Sequence, residues 1–207
     1  MLLDPESGAV RRIISLQYNP DTLTRLLQIQ GVNPDGGGGT SRSEVLRLKG
    51  PPIETIKLEA EIDATDQLEF PGQNQSAVTT GIHPQLAALE TIVYPASSDL
   101  QANFARTKAG RLEILPMQSA LTLFIWSKHR ILPVALTEFS ITEEAFDPAL
   151  NPIRARVSLG MRVLNVNDVG FDQKAGSLFM IYQQQKERLA RVARAGSFGN
   201  LGITGIP

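Results

Sequence analysis

The clearest hydrophobic pattern runs from Glu54 to Ala64, where Ile56, Leu58, Ala60 and Ile62 alternate with Lys57, Glu59, Glu61 and Asp63. A period of two, with one face apolar and the other charged, predicts a half-buried antiparallel strand. The period recurs from Ile153 to Val166. There Ile153, Ala155, Val157, Leu159, Met161 and Val163 share one face, and Arg154, Arg156, Ser158 and Arg162 the other. Val10 to Tyr18 reads as a further strand, with Ile14, Leu16 and Tyr18 alternating with Ser15 and Gln17. Asn19-Pro20-Asp21 ends it, because proline cannot donate to a ladder. Ala120 to Ser127 is apolar and of strand length. Arg130 to Phe139 follows a tight link and predicts a hairpin, which Ser140 to Phe146 continues or pairs with.

Two stretches change period. Pro84 to Tyr94 places Leu86, Leu89, Ile92 and Val93 on one side, and Pro84 sits in the first turn, where its missing N–H costs nothing. Ala175 to Arg194 shows a partial stripe of Leu178, Ile181, Gln185 and Leu189. Its basic residues gather at the C-terminal end, where the helix dipole favours them. Residues 65–81 are polar and turn-rich, and 95–111 read as a long surface connection. The glycine-rich stretch 31–43 reads as a flexible loop. After Asp147-Pro148-Ala149-Leu150-Asn151-Pro152, a turn, the chain re-enters the sheet. The expected fold is α+β, an antiparallel sheet or small β-barrel over residues 1–166. Residues 167–207 would add a helix and a glycine-rich tail that is either disordered or ordered only against a partner.

Composition narrows the function classes. Twenty basic residues stand against 21 acidic ones in 207, a formal charge of −1, so no whole-molecule field draws in nucleic acid or an anionic membrane. The absence of cysteine removes disulfides, thiolate zinc sites and cysteine nucleophiles. The start of the chain shows no secretory pattern, and no apolar run is long enough to span a bilayer. Folding in the cytoplasm is the expectation.

No reactive constellation assembles. The run Gly36 to Gly39 lacks the Gly-Lys-Ser/Thr that completes a phosphate loop. His83 and His129 lie in separate turns without a ligand partner at helical spacing. Glu143 and Glu144 are adjacent on a strand and therefore point to opposite faces, which does not suit paired-carboxylate hydrolysis. Neither a catalytic residue, a metal site nor a cofactor is expected. Trp126 ends an apolar strand, which reads as core, interface or, in a ligand-binding β module, a stacking platform for a carbohydrate.

Several motifs occur in a telling order. Gln17-Tyr18-Asn19-Pro20-Asp21-Thr22-Leu23 closes the early strand. Ile56 to Asp63 follows, then the helix Pro84 to Tyr94, then Leu123-Phe124-Ile125-Trp126-Ser127. A closing hairpin carries Pro133 and Phe139, then Phe146, then Asn151, Pro152, Arg154 and Ala155. Across roughly residues 10–165 this resembles the tube-like N-terminal domain of the baseplate proteins of contractile, phage-tail-like injection systems, which is often followed by a LysM module. Ser127 stands where that family has glycine, and residues 167–207 contain no recognisable LysM module. The resemblance implies a structural subunit in a homo-hexameric ring that joins the inner tube to the spike and baseplate, with tube, spike and wedge proteins as partners. A tube-initiator or inner-tube subunit of the same machine is the neighbouring reading. Lys57, Glu59, Glu61 and Asp63 are the expected ring or lumen contacts.

Overall fold

Seven strands form one antiparallel sheet: β1 (Leu2–Leu3), β2 (Val10–Arg12), β3 (Leu23–Gln28), β4 (Ile53–Asp63), β5 (Leu121–Ser127), β6 (Arg130–Phe146) and β7 (Pro152–Val163). Their order across the sheet is β2-β1-β5-β6-β7-β4-β3. The helices are α1 (Thr65–Leu68), α2 (Gln75–Thr80), α3 (His83–Glu90), α4 (Ser97–Lys108) and α5 (Lys174–Val192). The computed structural model describes residues 1–31, 47–108, 120–193, 196, 198–201 and 203–206. Most of the glycine-rich loop expected at 31–43, and part of the expected tail, lie outside the described residues.

The two-faced strands form as their alternation dictates. β4 pairs β7 with Ile56 opposite Met161, Leu58 opposite Leu159, Ala60 opposite Val157 and Ile62 opposite Ala155. All eight side chains are buried in one cluster with Leu132 and Val134 of β6. α3 supplies Leu86 and Leu89 to the same cluster, and α5 supplies Phe179 and Tyr182. All helical packing into this core is therefore on one face of the sheet, and along β4 and β7 the other face is left polar. β6 is a single 17-residue strand in which Ser140 to Phe146 continues the Arg130–Phe139 run. It carries a bulge between Leu136 and Glu138, which preserves the apolar face on both sides of the irregularity. Pro133 is tolerated in a central strand because β7 ends at Val163, opposite Val134, so the ladder has no use for its missing N–H.

The structure corrects four expectations. The sheet is open: its outermost strands, β2 and β3, do not pair with each other, so no barrel closes. The early strand stops at Arg12, after which Ile14 and Leu16 leave the ladder and pack on the apolar face. Residues 97–108, expected as plain connection, form α4. The buried stripe of α5 is Ala175, Phe179 and Tyr182, whereas Ile181 and Leu189 of the expected stripe are exposed. The larger aromatic surface faces the core because its burial releases more apolar area from water. β3 shows no clean alternation in LTRLLQ, and the sequence pattern does not predict it.

The seam between α2 and β7 depends on one glycine. Gly81 has φ 56°, and a Cβ there would lie 2.2 Å from the Pro152 carbonyl oxygen, which also accepts the Ile82 N–H at 2.9 Å. Gly81→Ala is expected to cost about 2–4 kcal/mol through combined strain and clash. Urea unfolding should show a lowered midpoint for this variant, while the same change at the open position Gly72 leaves it nearly unmoved.

Candidate functional site

The polar face of the sheet gathers most of the singled-out charges. Lys57, Glu59 and Glu61 of β4 stand beside Arg154, Arg156 and Ser158 of β7, with Glu138, Ser140, Thr142 and Glu144 of β6 beyond. Lys57 Nζ bonds Glu138 Oε2 at 2.8 Å across β7. The bridge passes over Gly160, where a Cβ would sit 2.8 Å from the Glu138 Cβ. Lys57 holds the Glu138 carboxyl below its ordinary pKa. Arg154 is the hub at the other end. It reaches Glu61 at 3.3 Å and Asp63 at 2.7 Å, and these carboxylates raise its own pKa. Arg156 lies 3.9 Å from Glu144. Carboxylates outnumber cations on this face.

Of the four expected contact residues, Lys57, Glu59 and Glu61 are exposed and Asp63 is not free to serve a partner. The Asp63 side chain is 12% exposed and accepts from the Thr65 amide at 2.7 Å and from the Thr65 hydroxyl, besides Arg154. Its backbone is engaged as well. The Gln17 side-chain amide donates to the Asp63 carbonyl at 2.7 Å and accepts the Asp63 N–H at 2.9 Å, imitating a strand pairing. Gln17 thus fixes the segment that carries Tyr18, Asn19 and Pro20. Burial acts to raise the Asp63 pKa, but Thr65 and Arg154 outweigh it and hold the carboxyl below the usual range.

The remaining motif residues scatter, and most prove structural. Pro133, Pro152 and Ala155 are buried, and Phe139 is half-buried against the core. Asn151 closes the β6–β7 turn, donating from its backbone and side chain to Asp147 at 2.8 Å each and so lowering the Asp147 pKa. Phe146 lies exposed at the end of β6. Trp126 is 38% exposed on β5, its ring 5.9 Å from Phe124. With Tyr18, Asn19 and Pro20 it borders an apolar groove of about 570 Å³ between the 13–20 segment and the sheet.

One buried polar cluster has no signal in the sequence pattern. Glu54, 4% exposed at the start of β4, accepts from Arg25 Nε of β3 at 2.7 Å, and Arg25 also donates to the Tyr182 hydroxyl of α5 at 3.0 Å. Lys186 sits 4.3 Å over the Tyr182 ring. Burial first, then the Glu54 charge, pushes the Tyr182 phenol up, and burial pushes Lys186 down. The cluster ties the outermost strand to the helix above it. Glu54 falls on the apolar parity of its strand, so an isolated acidic residue at an apolar position was the available clue.

No group of three or more histidine, cysteine, aspartate or glutamate side chains suited to a metal occurs among the described residues. Glu143 and Glu144 pair with Ala155 and Arg154, on opposite faces. His129 Nδ1 lies 2.8 Å from Gln185 Nε2, a contact between the β5–β6 turn and α5. No helix among the described residues is long and apolar enough to cross a membrane. No family model matches the chain, and no curated protein matches it either.

Two outcomes follow. Arg25→Ala strands a buried carboxylate and should cost about 3 kcal/mol, whereas adding Glu54→Gln should recover part of the loss. A double-mutant cycle in urea checks this. The lowered Asp63 pKa stabilises the fold above the ordinary carboxylate pKa, and that contribution disappears as pH falls through the depressed value. Melting temperature should therefore fall below about pH 4, with a shallower decline in Asp63→Asn.

Proposed function

We propose that this chain is a ring-forming structural subunit of a phage-tail-like contractile injection machine, seated where the inner tube meets the spike and baseplate. One observation carries the reading: among the described residues the outermost strands, β2 and β3, have no further strand beside them, and apolar side chains lie exposed next to each edge. On the β3 side Leu26 is 66%, Ile29 74% and Leu48 68% exposed; on the β2 side Val10 is 57% and Ile13 67% exposed. Unpaired, apolar sheet edges are a hazard in a lone molecule and an asset in one that closes into a ring with its own copies. The paired charges Lys57–Glu138 and Arg154–Glu61, with acidic residues in excess, suit a surface that faces a water-filled channel. The motif order from Tyr18 to Ala155 supports the same family of machines. Tube, spike and wedge proteins would be its partners, and it assembles in the bacterial cytoplasm.

A ligand-binding module is the second reading, because Trp126 borders a groove. That groove is lined largely by Ile14, Leu89, Phe124 and Met161, which offer a sugar few hydrogen-bond partners. An apolar occupant fits it better.

Light scattering after size exclusion, with electron microscopy of the same fractions, tests the ring. Sixfold rings, alone or on co-expressed tube protein, are the expected result, and Leu26→Lys should reduce them at unchanged folding. A chain that stays monomeric and joins neither tube nor spike would overturn the proposal.

A further inference from the structure

α4, of 12 residues, buries nothing among the described residues, and Leu100 and Phe104 are 50% and 72% exposed. A helix of about this length is marginal in water unless it packs on something. Asp99 in the first turn and Arg106 and Lys108 in the last complement the dipole, and the Leu100–Phe104 pair meets at i, i+4. Each such effect contributes only tenths of a kcal/mol. What α4 presents is an apolar ridge of Leu100 and Phe104 that Lys108 continues at the next i, i+4 position.

The groove under Trp126 is the converse surface. Its floor is Leu89, Phe124, Leu136 and Met161, and its volume of about 570 Å³ is typical of sites that enclose an apolar group. Its Tyr18 end is acidic. The Tyr18 hydroxyl lies 3.5 Å from Asp66, and burial together with Asp66, Asp63 and Glu61 raises the phenol pKa. Asp21, Glu59 and Glu61 line the adjoining depression and outnumber its one cation, Arg156. Among the described residues the ridge and the groove are both left open, although Leu89 and Ile92 at the groove lie only a few residues before α4.

We propose that α4 of one copy docks into this groove of a second copy, with Leu100 and Phe104 on its apolar floor and Lys108 against its acidic end. The contact joins two different patches and therefore propagates from copy to copy, as a ring requires. It deepens the ring reading and rests on it.

The full chain supplies its own reporters, since it has one tryptophan and no cysteine. Trp126 emission should shift to the blue as concentration rises. Phe104→Glu should abolish the shift and weaken self-association about ten-fold or more, while Phe104→Leu retains both. Circular dichroism confirms that the exposed substitution leaves the fold intact. Mixing Phe104→Cys chains with Ile13→Cys chains under mild oxidation should give disulfide-linked dimers of the two. Rings that form without the mixed cross-link, and that survive Phe104→Glu, would overturn the docking and leave the ring standing. A chain carrying both cysteines that closes on itself at high dilution would overturn it in favour of its own groove. Absence of self-association at every concentration would overturn both the docking and the ring.

Discussion

The pairing of β4 with β7 is the constraint on which the rest of the molecule depends. Each strand carries apolar and charged residues in strict alternation, so a slip of one residue would bury Glu59, Glu61 and Arg156 and expose Leu58, Ala60 and Val157. The hydrophobic gain from one face and the desolvation cost of the other both point to the same register. Once it is set, the apolar face must be covered, and α3 and α5 cover it. The polar face needs no cover, because its charges pair across neighbouring strands and Gly160 leaves room for the Lys57–Glu138 bridge to pass.

Local polar devices then hold the periphery to this frame. Asp63 ends β4 by gathering Thr65, Arg154 and the Gln17 side chain at one point, so the strand end, the turn into α1 and the 13–20 segment are fixed together. Arg25 and Glu54 do the same at the opposite end, joining β3 to α5 through the Tyr182 hydroxyl. A buried ion pair adds little net stability and its value lies in position. Here it sets how the outermost strand, with its exposed Leu26 and Leu27, meets the helix above it.

The parts legible in the sequence were those with a strong local period. β4, β7, β5 and the α3 region follow from alternation or helical spacing, and the Asp147–Pro152 turn follows from its proline and aspartate. β3 was illegible because LTRLLQ mixes both faces of an outer strand, where neither side need be uniformly apolar. α4 was illegible because it buries nothing, so no stripe marks it. The stripe of α5 was misplaced by one position, since Ile181 and Leu189 make an equally regular apolar line that faces solvent. Of the candidate site, the charges on β4 were visible as charges. That Asp63 serves the fold while Lys57, Glu59 and Glu61 stay exposed depends on contacts with Gln17 and Arg154, distant in sequence.

The central claim is that the open sheet edges are completed by other copies of the chain. Hydrogen exchange at β3, compared between dilute and assembled protein, tests this most directly. Amides of Leu23 to Gln28 that do not bond to β4 should exchange fast when dilute and become protected on assembly, with β4 and β7 protected throughout. Equal, fast exchange of those amides in the assembled state would contradict the account.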